Sequence, residues 1–239
     1  MMYFIDKRIQ VICDELKRLM IKNKQPLGSW TYKKGNFISP EQAENSIPSW
    51  EAFDEKTMHW YGPDEHYWFR TELIVPEDFQ DKELWLHVST QINEWDDGKN
   101  PQFLLFVNGK AIQGIDMNHR EVKLLDKASA GERIKLDLQS YTGTLHSEFN
   151  LITHIYEEDS KIKELYYDLQ VPLWAFARME KDDKTRYEIE GVLNDTVNIL
   201  DLRSPYSEDF YISLDKALEH IKKALYEDLY PSRERKWEY

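Results

Sequence analysis

The sequence predicts a mainly β protein, a jelly-roll β-sandwich with a leading helix and a C-terminal helical annex. Three observations carry that prediction. From residue 68 to residue 156, short runs of branched and aromatic side chains recur with turn residues between them and no helical pattern. Residues 103–107, Phe-Leu-Leu-Phe-Val, are followed by Asn108-Gly109, the dipeptide that best tolerates positive φ at both centres of a tight turn, so a hairpin closes there. After residue 160 the apolar residues fall instead at steps of three and four, the period of amphipathic helices.

Each element follows from the same reasoning, taken along the chain. Ile5, Ile9, Ile12, Leu16 and Leu19 form one stripe of a helix over residues 4–22. Residues 24–48 hold Pro26, Gly28, Gly35, Pro40 and Pro48 and little periodicity, and read as a long connection with one short strand near residues 30–32. Residues 50–69 are dense in aromatics. Strands follow at 68–75, 84–88, the hairpin arms 102–107 and 111–116, 122–125, 133–138 and 149–156. Antiparallel strands joined by turns point to the jelly-roll sandwich. Ser160 is placed to cap a helix that Pro172 would kink, and two further helices occupy 187–202 and 213–229. The expected division is residues 1–24 as an N-terminal helix, 25–159 as the sandwich, 160–230 as the annex and 231–239 as a linker cut short.

Charge and composition narrow the classes of partner. A chain of 239 residues can bury roughly 70% of the surface its unfolded form exposes, so a substantial core is possible. Its formal charge of −13 disfavours nucleic acid and anionic membranes, both of which need a positive surface. Cys13, the one cysteine, falls on the inward stripe of the first helix and reads as a core residue. Neither a signal-peptide pattern nor a run of about 18 apolar residues is present, so a cytoplasmic location is expected.

The search for chemistry turns up no metal, phosphate-loop, dinucleotide or nucleophile-elbow motif. Three segments carry both a functional and a structural reading. Trp60 and Asp64, in the segment 60–66, could offer a sugar ring an aromatic platform beside an acidic acceptor, or could pack beneath the loops. Trp95 and Asp96, within residues 93–100, lie in a loop rich in oxygen donors that could hold calcium or form a solvated turn. Asp116, Asn118, His119 and Arg120 form a polar knot between two core strands, either a ligand or interface contact or an internal network.

The order of these features resembles a known family. A leading amphipathic helix, a Trp-Gly-Pro-like loop before Tyr67-Trp68-Phe69-Arg70, then Phe106-Val107-Asn108-Gly109, Gly114-Ile115-Asp116-Met117-Asn118-His119-Arg120-Glu121-Val122 and Leu165-Tyr166-Tyr167-Asp168-Leu169 are similar to the amino-terminal region of class II α-mannosidases, glycoside hydrolase family 38. The cytosolic, bacterial and yeast-vacuolar-like branch is the nearest. The resemblance implies a galactose-binding-like sandwich set ahead of a catalytic domain, which would be its partner, with homo-oligomer contacts possible and an α-mannoside oligosaccharide as substrate of the whole. It also implies zinc in that catalytic domain, held through a His-x-Asp motif. No histidine here is followed two residues later by aspartate, so no zinc ligand or catalytic carboxylate can be carried onto this chain and no cofactor is expected in it. The implied role is a non-catalytic front domain that acts as a scaffold or oligomer contact or as an element of the substrate rim; the alternative is an independent carbohydrate-binding module.

Overall fold

The computed structural model describes residues 2–91, 101–180 and 183–229. Trp95, Asp96 and the expected linker over 231–239 lie outside the described residues. The chain divides into two compact units: Asn23–Glu157 forms one, and the segments through Lys22 and from Glu158 form the other.

The first unit is a two-sheet antiparallel sandwich. Its strands are β1 (Ile21–Pro26), β2 (Ser29–Lys34), β3 (Glu51–Asp54), β4 (Trp60–Gly62), β5 (His66–Ile74), β6 (Leu84–Ser89), β7 (Gln102–Val107), β8 (Lys110–Ile115), β9 (Glu121–Leu125), β10 (Arg133–Tyr141), β11 (Ser147–Phe149) and β12 (Ile152–Glu158). One sheet runs β1-β12-β6-β9, the other β3-β2-β5-β10-β7-β8, and β4 pairs with β11 alone. Alternation explains the core. Leu84, Leu86 and Val88 of β6 and Ile155 of β12 point inward against Phe69 of β5, Leu105 of β7 and Leu136 and Leu138 of β10. At the β7–β8 turn, Asn108 and Gly109 take φ of 50° and 82°, as the dipeptide predicts. The Asn108 side chain then accepts the Lys135 N–H at 2.9 Å, which ties the turn to β10.

The connection expected over 24–48 is more structured than its sequence suggests. It holds β1, β2 and a short helix α2 (Pro40–Asn45), begun by the Ser39 hydroxyl accepting the Gln42 N–H, with Pro40 in the first turn. The strand β1 escapes a periodicity search because it is an edge strand of polar residues, Lys22-Asn23-Lys24-Gln25.

The second unit gathers α1 (Met2–Leu19) with α3 (Ser160–Phe176), α4 (Lys184–Ile199), α5 (Glu208–Ile221) and a π-helical extension over Lys222–Leu229. Ile9, Cys13, Leu16 and Leu19 of α1 share one apolar cluster with Ile162, Leu165 and Leu169 of α3, Leu193 of α4 and Leu214 of α5. The leading helix therefore belongs to the helical unit. Asp159, rather than Ser160, caps α3 by accepting the Ile162 N–H at 3.1 Å, and α3 continues through Pro172. Among the described residues no helix is long and apolar enough to cross a membrane.

Candidate functional site

The polar knot is a turn held by one carboxylate. Asp116 Oδ1 accepts the backbone N–H of Asn118 and of His119, each at 2.8 Å, and lies 3.1 Å from His119 Nδ1. Asx residues close turns in this way. Burial pushes the Asp116 carboxyl up, but the two N–H groups and the His119 ring outweigh it and leave the group below the usual carboxylate range. Arg120 turns back, its Nε donating to the Met117 carbonyl at 2.8 Å. The Asn118 and His119 side chains face solvent. Beside Asp116 and Arg120, Ser89, Thr90 and Ile115 help line a cleft of about 10 Å³, room for about one water and far too little for a sugar ring.

Trp60 does not form a platform. It is 1% exposed, and its ring is enclosed by Tyr67, Phe69, Phe103 and Phe149 at centroid distances of 5.6, 5.4, 5.5 and 4.8 Å. Its Nε1 donates to the Asn150 carbonyl at 3.2 Å. The reason is parity: Trp60 and Gly62 of β4 point inward, while Tyr61 between them is 57% exposed. The open aromatic is thus Tyr61, 6.5 Å from His146. Asp64, expected beside Trp60, accepts the Tyr141 hydroxyl at 2.9 Å, and His66 lies 5.1 Å from the Tyr141 ring. The Asp64 hydrogen bond raises the Tyr141 phenol above its ordinary value, with burial adding to it. Gly62 is needed near here, because a Cβ would fall onto the Thr142 side chain, whose Oγ1 accepts the Glu65 N–H at 2.9 Å.

The cluster that sequence reasoning missed lies on the outer face of the six-stranded sheet. Residues 35–50 fold over that face, so that Trp68, Phe106 and Ala43 make a second small apolar layer with Phe37 and Trp50. Beneath the cover, Arg70 Nε donates to Asp137 Oδ1 at 2.5 Å, its Nη2 to the Pro40 carbonyl at 3.2 Å, and its Nη1 pairs with Glu44. The guanidinium sits 4.3 Å from the Trp50 ring centre. Lys33 is buried too, donating to the Ala43 carbonyl at 2.5 Å and the Ser46 carbonyl at 3.0 Å. Burial pushes the Lys33 ammonium below its ordinary value, and Arg70 adds to that. Arg70 is matched by Asp137 and Glu44 and Lys33 by carbonyl oxygens, while Asp137 Oδ2, Trp50 Nε1 and Trp68 Nε1 are buried without a hydrogen-bond partner. The network pins the 35–50 segment to the sheet, and the sequence carried no signal of it, because Asp137 stands at a regular polar position of the alternation in 133–138.

A carboxyl of a different kind is Glu55. Burial raises it, although Trp30 Nε1 donates to it at 2.7 Å and the Thr153 hydroxyl also donates to it. Among the described residues no three His, Cys, Asp or Glu side chains gather as a metal donor set.

No protein-family model matches the chain, and no curated protein sequence does. Solved structures similar to it include the β-glucuronidase of Ruminococcus gnavus, 13% identical over 56% of this chain and 28% of that one, with a TM-score of 0.37. The same enzyme in complex with uronic deoxynojirimycin is 11% identical over 56% of this chain and 29% of that one, at 0.36. The β-glucuronidase of Faecalibacterium prausnitzii is 10% identical over 57% of this chain and 31% of that one, at 0.37. The chain spans less than a third of the length of these structures.

Proposed function

We propose that this chain is the non-catalytic amino-terminal part of an α-mannosidase acting on α-linked mannose in oligosaccharides, and that its sandwich serves as a scaffold for a catalytic partner domain. The observation that carries the scaffold reading is the use made of the aromatics. Trp60, Tyr67, Trp68 and Phe69, in the segment richest in rings, are all buried in the two apolar layers of the sheet. Rings spent on a core hold loops at fixed positions and are not available to stack on a sugar. The mannosidase assignment itself rests on the resemblance of residues 106–109 and 114–122, whose knot makes a stiff turn at the end of the hairpin.

A second reading has one observation in its favour. Tyr61 and His146 are exposed, close to each other, and Tyr141 makes a tilted ring contact with His66 while its hydroxyl donates to Asp64. A binding module would use such an exposed ring with a carboxylate beside it. Calorimetric titration with α-linked mannobiose separates the two. The scaffold gives no heat of binding up to millimolar sugar, and the module gives saturable binding that Tyr61→Ala abolishes. The mannosidase assignment is tested by adding this chain to the catalytic portion of an α-mannosidase of the resembled branch: the scaffold raises that portion's thermal midpoint, and no change counts against it.

A further inference from the structure

The outer face of the four-stranded sheet carries a histidine pair away from the sites described so far. His154 on β12 and His87 on β6 are directly opposite in the antiparallel register, with ring centroids 6.3 Å apart. Their neighbours along each strand, Leu86, Val88, Thr153 and Ile155, are buried. Strand alternation therefore turns both imidazoles to the other face. Nδ1 of each ring is buried without a hydrogen-bond partner. Buried polar atoms in folded proteins are normally satisfied, and two unsatisfied ones on facing residues each call for a partner from outside the chain, a water or a ligand.

The surroundings decide the charge of that ligand. Lys24 lies on β1, the strand beside β12, and Arg120 follows β6 closely, its carbonyl accepting the Val88 N–H at 2.9 Å. Burial, then Lys24, His154 and Arg120 push the His87 imidazole down to about 4, and burial and Lys24 push His154 down as well. The His87 ring is therefore neutral near pH 7. Glu121 stands opposite His87 on β9 and Lys123 opposite Trp85, and among the described residues the charges that lower His87 are those of Lys24, His154 and Arg120. A metal ion would meet that positive field, whereas an anion would be drawn into it.

We propose that His87, His154 and Lys24 form a subsite for a small oxyanion, a phosphate, sulfate or sugar carboxylate, on the outer face of the four-stranded sheet. The imidazole N–H groups and the Lys24 ammonium donate to it, and an anion between the rings stabilises their protonated forms, so both titrations move upward on binding. This subsite does not depend on the mannosidase reading and can stand or fall without it.

Imidazole NMR on the full chain, titrated with inorganic phosphate, a hexuronate and neutral mannose in separate arms, tests the subsite. The expected result is a saturable shift of both His87 and His154 signals with an anion, none with mannose, and ring titration midpoints that rise. A response to phosphate alone identifies a free inorganic anion as the ligand, and a response to the hexuronate identifies the acidic group of a saccharide. Lys24→Ala, at an exposed position, weakens binding about tenfold, and the double variant His87→Gln/His154→Gln loses it. No coupled shift with either anion, a response to zinc ions only, or anion binding unchanged in Lys24→Ala overturns the proposal.

Discussion

Asp137 illustrates how a single residue takes its meaning from a distant segment. In the alternating run 133–138 it stands where a solvent-facing side chain is expected, yet it is fully buried, because residues 35–50 cover that face. Its bond to Arg70 is an ion pair largely removed from water, and removing Asp137 leaves the mostly buried guanidinium with the half-exposed Glu44 as its remaining carboxylate partner. Asp137→Ala is expected to lower the unfolding free energy by about 3 kcal/mol in urea titrations. A loss below about 0.5 kcal/mol would mean that water reaches Arg70 in solution. Asp116 makes the opposite case, a candidate whose role was legible as one of two readings. Its three contacts are local, within three residues, and so were foreseeable from an Asx residue ahead of a strand. Asp116→Ala should cost about 1–2 kcal/mol, since each hydrogen bond contributes about 0.5–1.5 kcal/mol net. Asp116→Asn, which keeps the acceptor, should recover most of that.

At the scale of elements, the sequence was informative wherever periodicity and turn chemistry agreed. The β7–β8 hairpin and the helical runs after residue 160 follow from local rules, and so does the burial of Cys13. The edge strand β1 and the helix α2 were not legible, because an edge strand needs no apolar face and a one-turn helix has too few residues to show a period. The α3 start was placed one residue late for a related reason. Asp159 and Ser160 are both capping residues, and the choice is made by tertiary partners: Asp159 accepts from Lys22 Nζ at 3.0 Å and from the Tyr211 hydroxyl at 2.7 Å besides the Ile162 N–H. Burial pushes this carboxyl up, and Tyr211, the Ile162 N–H and Lys22 more than reverse it, so it ends below the usual range. Asp159→Ala should therefore remove about 1–2 kcal/mol of helical stability, read by circular dichroism. Asp159→Ser, which restores a cap without the ion pair, should regain part of it.

At the scale of the whole molecule, two units with separate cores should respond to acid in different windows. In the sandwich, His87 is held down at about 4 against an ordinary value of 6.5, and His154 is lowered as well. Between those values the unfolded chain binds more protons than the folded one, so sandwich stability falls as pH drops from about 6.5 toward about 4. Glu55 acts the other way, since a raised carboxyl favours the folded state in acid. In the helical unit, Asp159 is depressed, so its contribution is intact above its unfolded value of about 3.9 and is lost only as pH falls through its lower folded value. Asp168 and Glu190 there are raised by burial and favour folding as pH falls. Trp30, Trp50, Trp60, Trp68 and Trp85 lie in the sandwich, and most helix lies in the other unit, whose segments also carry Trp174 and Trp237, so in a Trp174→Phe/Trp237→Phe background tryptophan fluorescence and the helical dichroism signal report on different cores. Urea midpoints followed by fluorescence should decline between pH 6.5 and pH 4 while the dichroism midpoints hold, and His87→Gln should flatten the fluorescence trend. If both probes decline together across that range, and the decline survives in His87→Gln, the histidine pair does not set the acid limit of the sandwich.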